Sequence, residues 1–375
     1  MSSSLNSHLS QDEPTMIIVA ETAASLKGFL SETMLNQFAR TMLLRLVLAF
    51  IMHRGRMSCS AAAGSIASKP IHRGELTRFM ARPRWQQYDF NNPLVKLLIA
   101  KETKGGVWLF LIDATMVSQA GKKTQNTYST GNRGRNPAKK RRYNKKKVVY
   151  KKVHHFTFGL LISPSGIRIP MEIPHYTQEY CQAHGIQHQT TAESAAHMIH
   201  TLPLPAGAEV VVLGDTAYDA EVVRKACDEK GYTWIFPANP ERVYEGKTGQ
   251  RPKLRSRLKD WTSLSLKTIR LRASTGKYAN YRRLSKWRVG PKTKPRVYYA
   301  YQELQEVRSV GSVQIVFSTM KPDLKTAIPD DVKILMTNAV DMSVTEVIEL
   351  YSLRWQIENY QARCVGRHLL YLLAA

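Results

Sequence analysis

"VWLFLID", residues 107–113, is a run of six apolar side chains closed by one carboxylate, Asp113. A strand with one wet face alternates apolar and polar residues. An unbroken apolar run of this length fits a strand buried on both faces. The pattern returns at residues 209–219, "EVVVLGDTAYD", where the apolar stretch again ends in an acid, Asp215. Between them, "HHFTFGLLISPSGIRIPMEI" reads as two strands around the turn Pro164-Ser165-Gly166. Glu193–Leu202 has a helical pattern, Ala220–Lys230 is a helix stopped by Gly231, and "YTWIFPA" is a further strand. Strands alternating with helices predict an α/β core, assigned to residues 101–238 and 322–375.

From residue 239 to 321 the core pattern is interrupted. "LKTIRLRA", "YRRLSKWRV", "RVYYAYQEL" and "SVQIVFST" read as strands of a β-rich insertion. "ILMTNA" returns to the core, and Ser343 with Glu346 forms a capping box that opens the next helix. At the other end, residues 1–25 are assigned to a disordered tail and 26–100 to a helical region. Within that region, breaks fall at Arg54-Gly55-Arg56 and Lys69-Pro70. Short arginine-bearing helices in this stretch suit a helix-turn-helix-like DNA-binding module or a plain helical bundle. The run Met42–Met52 contains Arg45 and is too short to span a bilayer, so it reads as a core helix.

The net charge of +26 and the pI near 10.0 point to a polyanionic partner. The charge is concentrated. Residues 133–152 hold 11 basic side chains and no acid, and residues 242–296 hold 18 basic and 2 acidic ones. The rest of the chain is close to neutral. Lys139, Lys140, Arg141, Arg142, Lys145, Lys146 and Lys147 in the first block, and Arg282 and Arg283 in the second, are candidate phosphate contacts. Trp261 and Trp287 in the second block either stack on a base or pack in the core. Cys59, Cys181, Cys227 and Cys364 show no zinc spacing and read as thiols of a reducing compartment. His154-His155, beside a strand, reads as a surface or phosphate-touching pair, and Asp219 as a helix-start residue.

One acid after a buried strand caps the next turn. Two in matching contexts, at the kind of strand end where open α/β sheets place ligands, point to a shared site. A third acid, Glu358, lies in "YSLRWQIENYQARC", residues 351–364. At about 100° per residue, Tyr351, Arg354 and Glu358 fall on one stripe of a helix, with Trp355 and Ile357 off that stripe and free to pack. Carboxylates without clustered Cys or His suit magnesium or manganese. Three of them can hold two ions about 3.5–4 Å apart for phosphodiester chemistry.

"LFLIDATMV", "VVLGDTAYD" and "YSLRWQIEN" resemble the three acidic motifs of the DDE transposases of bacterial insertion sequences, most of all the insertion-sequence-four family and its relatives. The resemblance runs from about Thr41 to Gln361. It implies a ribonuclease H-like core with a β-rich insertion between the second Asp and the Glu. It implies Asp113, Asp215 and Glu358 as catalytic metal ligands for Mg2+ or Mn2+, two ions in all. Tyr351 and Arg354 would contact DNA phosphates near the cleaved end. The implied activity is metal-dependent strand cleavage and strand transfer in the cytoplasm. The partners would be element ends and target DNA, with a homodimer on DNA and no membrane. The last motif of that family continues to a Lys, where this sequence has Val365. The following "ARCVGRHLLYLLAA" lacks a Lys-rich continuation, so a truncated, catalytically impaired DNA-binding protein or inhibitor is the alternative expectation. A metal nuclease without strand transfer is the third.

Overall fold

The computed structural model describes residues 13–52, 58–64, 71–81, 93, 96–97, 99–100, 102, 105–118, 126–131, 150–246, 249–272, 277–283, 295–321 and 331–366. The chain divides into two compact units, residues 1–100 with 364–375, and residues 101–363.

The first unit is helical among its described residues: α1 Glu13–Ser31, α2 Gln37–Met52, α3 Cys59–Gly64 and α4 Arg73–Ala81. Met42, Leu46 and Ala49 recur at helical spacing on α2 and share one buried cluster with Ala62, Leu76 and Phe79. α1 corrects the expected disordered tail, because its helix already starts at Glu13. Pro14 is tolerated in the first turn, where a missing N–H removes no intrahelical bond.

In the second unit the described strands form one mixed sheet of ten strands. They are β1 Trp108–Ser118, β2 Tyr128–Gly131, β3 Tyr150–Ile162, β4 Arg168–His175, β5 Val210–Leu213, β6 Thr233–Pro237, β7 Lys267–Leu271, β8 Arg296–Val307, β9 Gly311–Thr319 and β10 Lys333–Thr337. The order is β2-β3-β1-β5-β6-β10-β9-β8-β7, with β4 also paired to β3. β1 runs antiparallel to β3 and parallel to β5, and β5 runs parallel to β6. This mixed arrangement is consistent with a ribonuclease H-like core.

The helices are α5 Gln178–His184, α6 Thr191–His200, α7 Glu221–Glu229, α8 Ala279–Arg283, α9 Val344–Ser352 and α10 Trp355–Gly366. Leu109, Leu111, Val211, Leu213 and Leu335 face one way and pack with Val347, Leu350 and Ile357 of α9 and α10. The opposite face carries α6. There Gly159 is required by close packing, since a Cβ would stand 2.7 Å from Phe110 Cζ and 3.2 Å from Met198 S.

The β-rich stretch is hydrogen-bonded into the core sheet, because β10 joins β6 on one side and β9 on the other, so β7–β9 continue that sheet. β9 is buried from Val313 to Thr319, and a strand covered on both faces must sit inside a sheet. The segment beginning at Tyr281 was expected to be a strand, yet Tyr281–Arg283 ends α8. Tyr278 and Tyr281, three residues apart, are both buried in the same cluster. That is helix spacing, whereas a strand would send them to opposite faces.

Candidate active site

β1 does not end at Asp113, as the sequence pattern implied. It continues to Ser118, with Asp113 opposite Phe158 of β3. What ends is the parallel pairing with β5, whose last registered pair is Leu111 and Leu213. Asp113 lies two residues beyond Leu111, and Asp215 two residues beyond Leu213. Strand periodicity keeps Asp113 on the face of Leu111, the face covered by α9 and α10. Gly214 lets the chain turn here, as a Cβ would meet Tyr218 Cβ at 3.0 Å and Phe236 at 3.1 Å.

Each acid also makes the local bond that a turn-capping role requires. Asp113 Oδ1 accepts from the Ala114 amide at 2.8 Å, and Asp215 Oδ1 from the Ala217 amide at 2.9 Å. Asp215 thereby caps the short 3-10 turn Thr216–Tyr218. Among the described residues no hydrogen bond reaches either Oδ2.

Glu358 arrives on α10. The stripe expected on a single helix is broken, because α9 ends at Ser352 and α10 starts at Trp355. Leu353 closes the first helix, and its amide donates to the Leu350 and Tyr351 carbonyls. Across this break Arg354 Nη2 still donates to Glu358 Oε1 at 2.8 Å. Arg354 is the buried partner, its side chain 8% exposed against 39% for Glu358. Ile357 docks α10 in the core, but Trp355 does not, being 49% exposed with the Arg354 guanidinium over its ring. The second anchor is Gln356. Its Nε2 donates to the Tyr281 carbonyl at 2.9 Å, and its Oε1 accepts from Arg168 of β4. The third is Tyr360, stacked at 6.1 Å on Phe158, the residue opposite Asp113.

These anchors bring the three acids within electrostatic range. Burial pushes the Asp113 carboxyl up to about 6, and the charges of Asp215 and Glu358 push the same way against the Ala114 amide and Arg354. Burial would lower Arg354, but Tyr351, Glu358 and Asp113 outweigh it and hold it up. Tyr351 is buried, and its hydroxyl donates to the Gly214 carbonyl at 3.4 Å. Tyr351 and Arg354 are both buried in this arrangement.

An acid-only donor set whose charges crowd Asp113 fits a hard divalent cation in its chemistry. Among the described residues, however, no three His, Cys, Asp or Glu side chains are grouped closely enough to hold one ion. Glu358 is committed to Arg354 instead.

Other candidates fall elsewhere. Lys139, Lys140, Arg141, Arg142, Lys145, Lys146, Lys147 and Trp287 lie outside the described residues, as does Cys364's side chain. Arg282 and Arg283 lie in α8 and Trp261 in the 3-10 stretch Leu254–Ser263, with side chains outside the described set. His154 Nδ1 bonds the Asn126 carbonyl at 3.0 Å, and His155 lies tilted against His175 with ring centres 4.8 Å apart. Asp219 does not start a helix. Its side chain is 2% exposed and binds Arg224 Nη1 and Arg242 Nε at 2.5 and 2.7 Å. Sequence reasoning missed this cluster, because its arginines lie on either side of β6 in the chain. It also missed Lys333, whose Nζ stands 4.7 Å from the centre of the Tyr351 ring. No local motif marks that lysine.

Residues 180–367 match the family model described as "Transposase DDE domain". The match covers half of the chain and includes Asp215 and Glu358. Comparison with curated proteins finds no match.

Proposed function

The chain belongs to the transposases with a DDE domain, and on that premise we propose that Asp113, Asp215 and Glu358 form the catalytic centre of DNA strand cleavage and strand transfer. The observation that carries the reading is the matched position of Asp113 and Asp215 beyond the β1/β5 ladder, with Glu358 delivered beside them by α10. The spacing of Tyr351, Arg354 and Glu358 supports a place near the insertion-sequence-four family.

Magnesium or manganese, in one or two ions, would be held by the three carboxylates. When bound, such ions activate the attacking water and stabilise the leaving oxygen. The chain's own part is positional. Gln356, Ile357 and Tyr360 place Glu358, and Arg354 holds it in reserve. Tyr351 braces the turn at Gly214. Arg354 and Tyr351 reach a DNA phosphate only after Arg354 leaves Glu358. The basic block from Lys139 to Lys147, with Arg282 and Arg283, supplies the sequence-independent grip on the backbone. The helical first unit binds element ends, and a homodimer brings two ends together in the cytoplasm. No helix among the described residues is long and apolar enough to cross a membrane.

The test is nicking of duplex DNA carrying the sequences that flank this gene, with magnesium or manganese supplied. Asp113→Asn, Asp215→Asn and Glu358→Gln should each cut the rate by at least about a hundredfold. Undiminished nicking by these variants would overturn the assignment. Charge reversal of Lys139, Lys140, Arg141 and Arg142 should flatten the salt dependence of binding. A second reading, DNA binding without cleavage, is favoured by the Arg354–Glu358 pair and by the absence of a closed three-acid group among the described residues. It predicts salt-dependent binding with no nicking by the wild-type chain.

A further inference from the structure

We propose that Lys333 is a DNA-phosphate contact of this site, its ammonium holding a backbone phosphate beside the acids. This rests on the reading of the acids as a DNA-cleaving centre, and it adds a residue that none of the acidic motifs contains.

Register places Lys333, the first residue of β10, at the same end of the sheet as Asp215. β5 and β6 are parallel, with Leu213 opposite Ile235, so Asp215 is level with Pro237. β10 runs antiparallel to β6, with Leu335 opposite Pro237. Lys333 therefore extends two residues, roughly 6–7 Å, past the level of Asp215 and two strands across, roughly 10 Å. Alternation keeps it on the face of Leu335, which belongs to the same buried cluster as Leu213 and Tyr351. A nucleic-acid strand laid across the carboxyl ends of β1, β5 and β6 would pass under this ammonium.

The side chain is built to reach. Its ammonium stands over the Tyr351 ring, Nζ 4.7 Å from the ring centre, while the residue as a whole stays exposed. It lies within Coulombic range of Asp215, Glu358 and Arg354. Arg354, the cation in that range, is already committed, being buried and bonded to Glu358. Among the described residues Lys333 has no carboxylate partner within ion-pair distance. An exposed ammonium with no carboxylate partner among the described residues, in range of Asp215 and Glu358, fits a ligand that brings its own negative charge. A DNA phosphate meets that need, and it also belongs next to the scissile bond.

The experiment is equilibrium binding of the full chain to a fluorescent duplex of about 30 base pairs across a salt series, with no divalent ion. The variants are Lys333→Met, which keeps an uncharged side chain of similar length beside Tyr351, Lys333→Gln and Lys333→Arg. Loss of one phosphate contact should reduce the slope of log affinity against log salt by about 0.9. It should weaken binding severalfold whatever the base sequence. Lys333→Arg should keep the wild-type slope. Thermal melting reports folding, and Lys333→Gln replaces Lys333→Met if the latter melts early. An unchanged slope in a folded Met or Gln variant overturns the proposal and leaves Lys333 as a brace for Tyr351. That result, together with loss of nicking in Asp113→Asn, would sink this inference alone. If the wild-type chain does not bind the duplex, this inference fails together with the reading it rests on.

Discussion

Asp113 and Asp215 occupy equivalent positions, each two residues past the paired leucines, Leu111 and Leu213, that end the β1/β5 ladder. Neither position is unusual for an Asp on its own. Their shared level, with Glu358 added from α10, concentrates negative charge at one edge of a buried sheet.

That crowding has a cost in stability. The Asp113 carboxyl rises from an ordinary value of 3.8 to about 6, mainly through burial. Below about pH 4 both the folded and unfolded chains carry the proton, so there is no effect. Between about pH 4 and 6 the unfolded chain releases it first, and stability falls as pH rises. Asp113→Asn should therefore stabilise the chain by about 1–2 kcal/mol above pH 6, discounted because the carboxyl is partly solvated. Urea denaturation of both proteins at pH 4 and pH 7.5 checks it, and equal gains at the two pH values would contradict this account.

Asp219 should be far less tolerant. Its carboxylate neutralises two guanidinium groups, of which Arg224 is nearly as buried as the acid itself. Asp219→Ala strands that charge, and breaking a buried pair from one side costs about 3–5 kcal/mol. A denaturation midpoint within about 0.5 kcal/mol of wild type would show that the arginines find water instead.

Gly159 tests the packing of α6 on the sheet. It sits opposite Ile112 on β1 and Met171 on β4, under Phe110 and Met198. Gly159→Ala should cost about 1–3 kcal/mol through overpacking, read as a shift in the urea midpoint. Gly185, at the C-cap of α5, is the contrasting case. A Cβ added there would meet nothing within 4 Å, but φ is 64°, so Gly185→Ala is penalised by conformation rather than by crowding.

Gln356 separates folding from function. Gln356→Ala removes the bond to the Tyr281 carbonyl and the acceptor for Arg168. Stability should fall by about 1–3 kcal/mol. On the transposase reading, the nicking rate should drop by up to about a hundredfold, since a small misplacement of Glu358 is costly. A variant that loses stability but nicks at the wild-type rate would mean that Ile357 and Tyr360 suffice to place α10.

Much of this was legible in the chain because it is local. Six apolar residues before Asp113 specify a strand buried on both faces, whatever lies beside it. Ser343 and Glu346 specify a helix start, and both capping-box bonds are present in the structure. The stop at Gly231, with φ 67°, likewise depends on one residue. The acids and their spacing are visible for the same reason.

What the sequence could not determine depends on registration between distant segments. That β7–β9 extend the core sheet follows from β10, which pairs with β6 and β9 at once. The helix expected to carry Tyr351, Arg354 and Glu358 together breaks at Leu353, because docking α10 through Gln356 and Ile357 outweighs continuing one helix. Arg354 faces Glu358, and Lys333 comes within range of Asp215 and Glu358 only because β10 pairs antiparallel with β6, which itself runs parallel to β5. The sequence by itself determined the buried strands of the core, the capped helix starts and where the acids lie. Only the tertiary structure decided which charges meet, because a Coulombic or hydrogen-bonded contact depends on distance in space and not on separation along the chain.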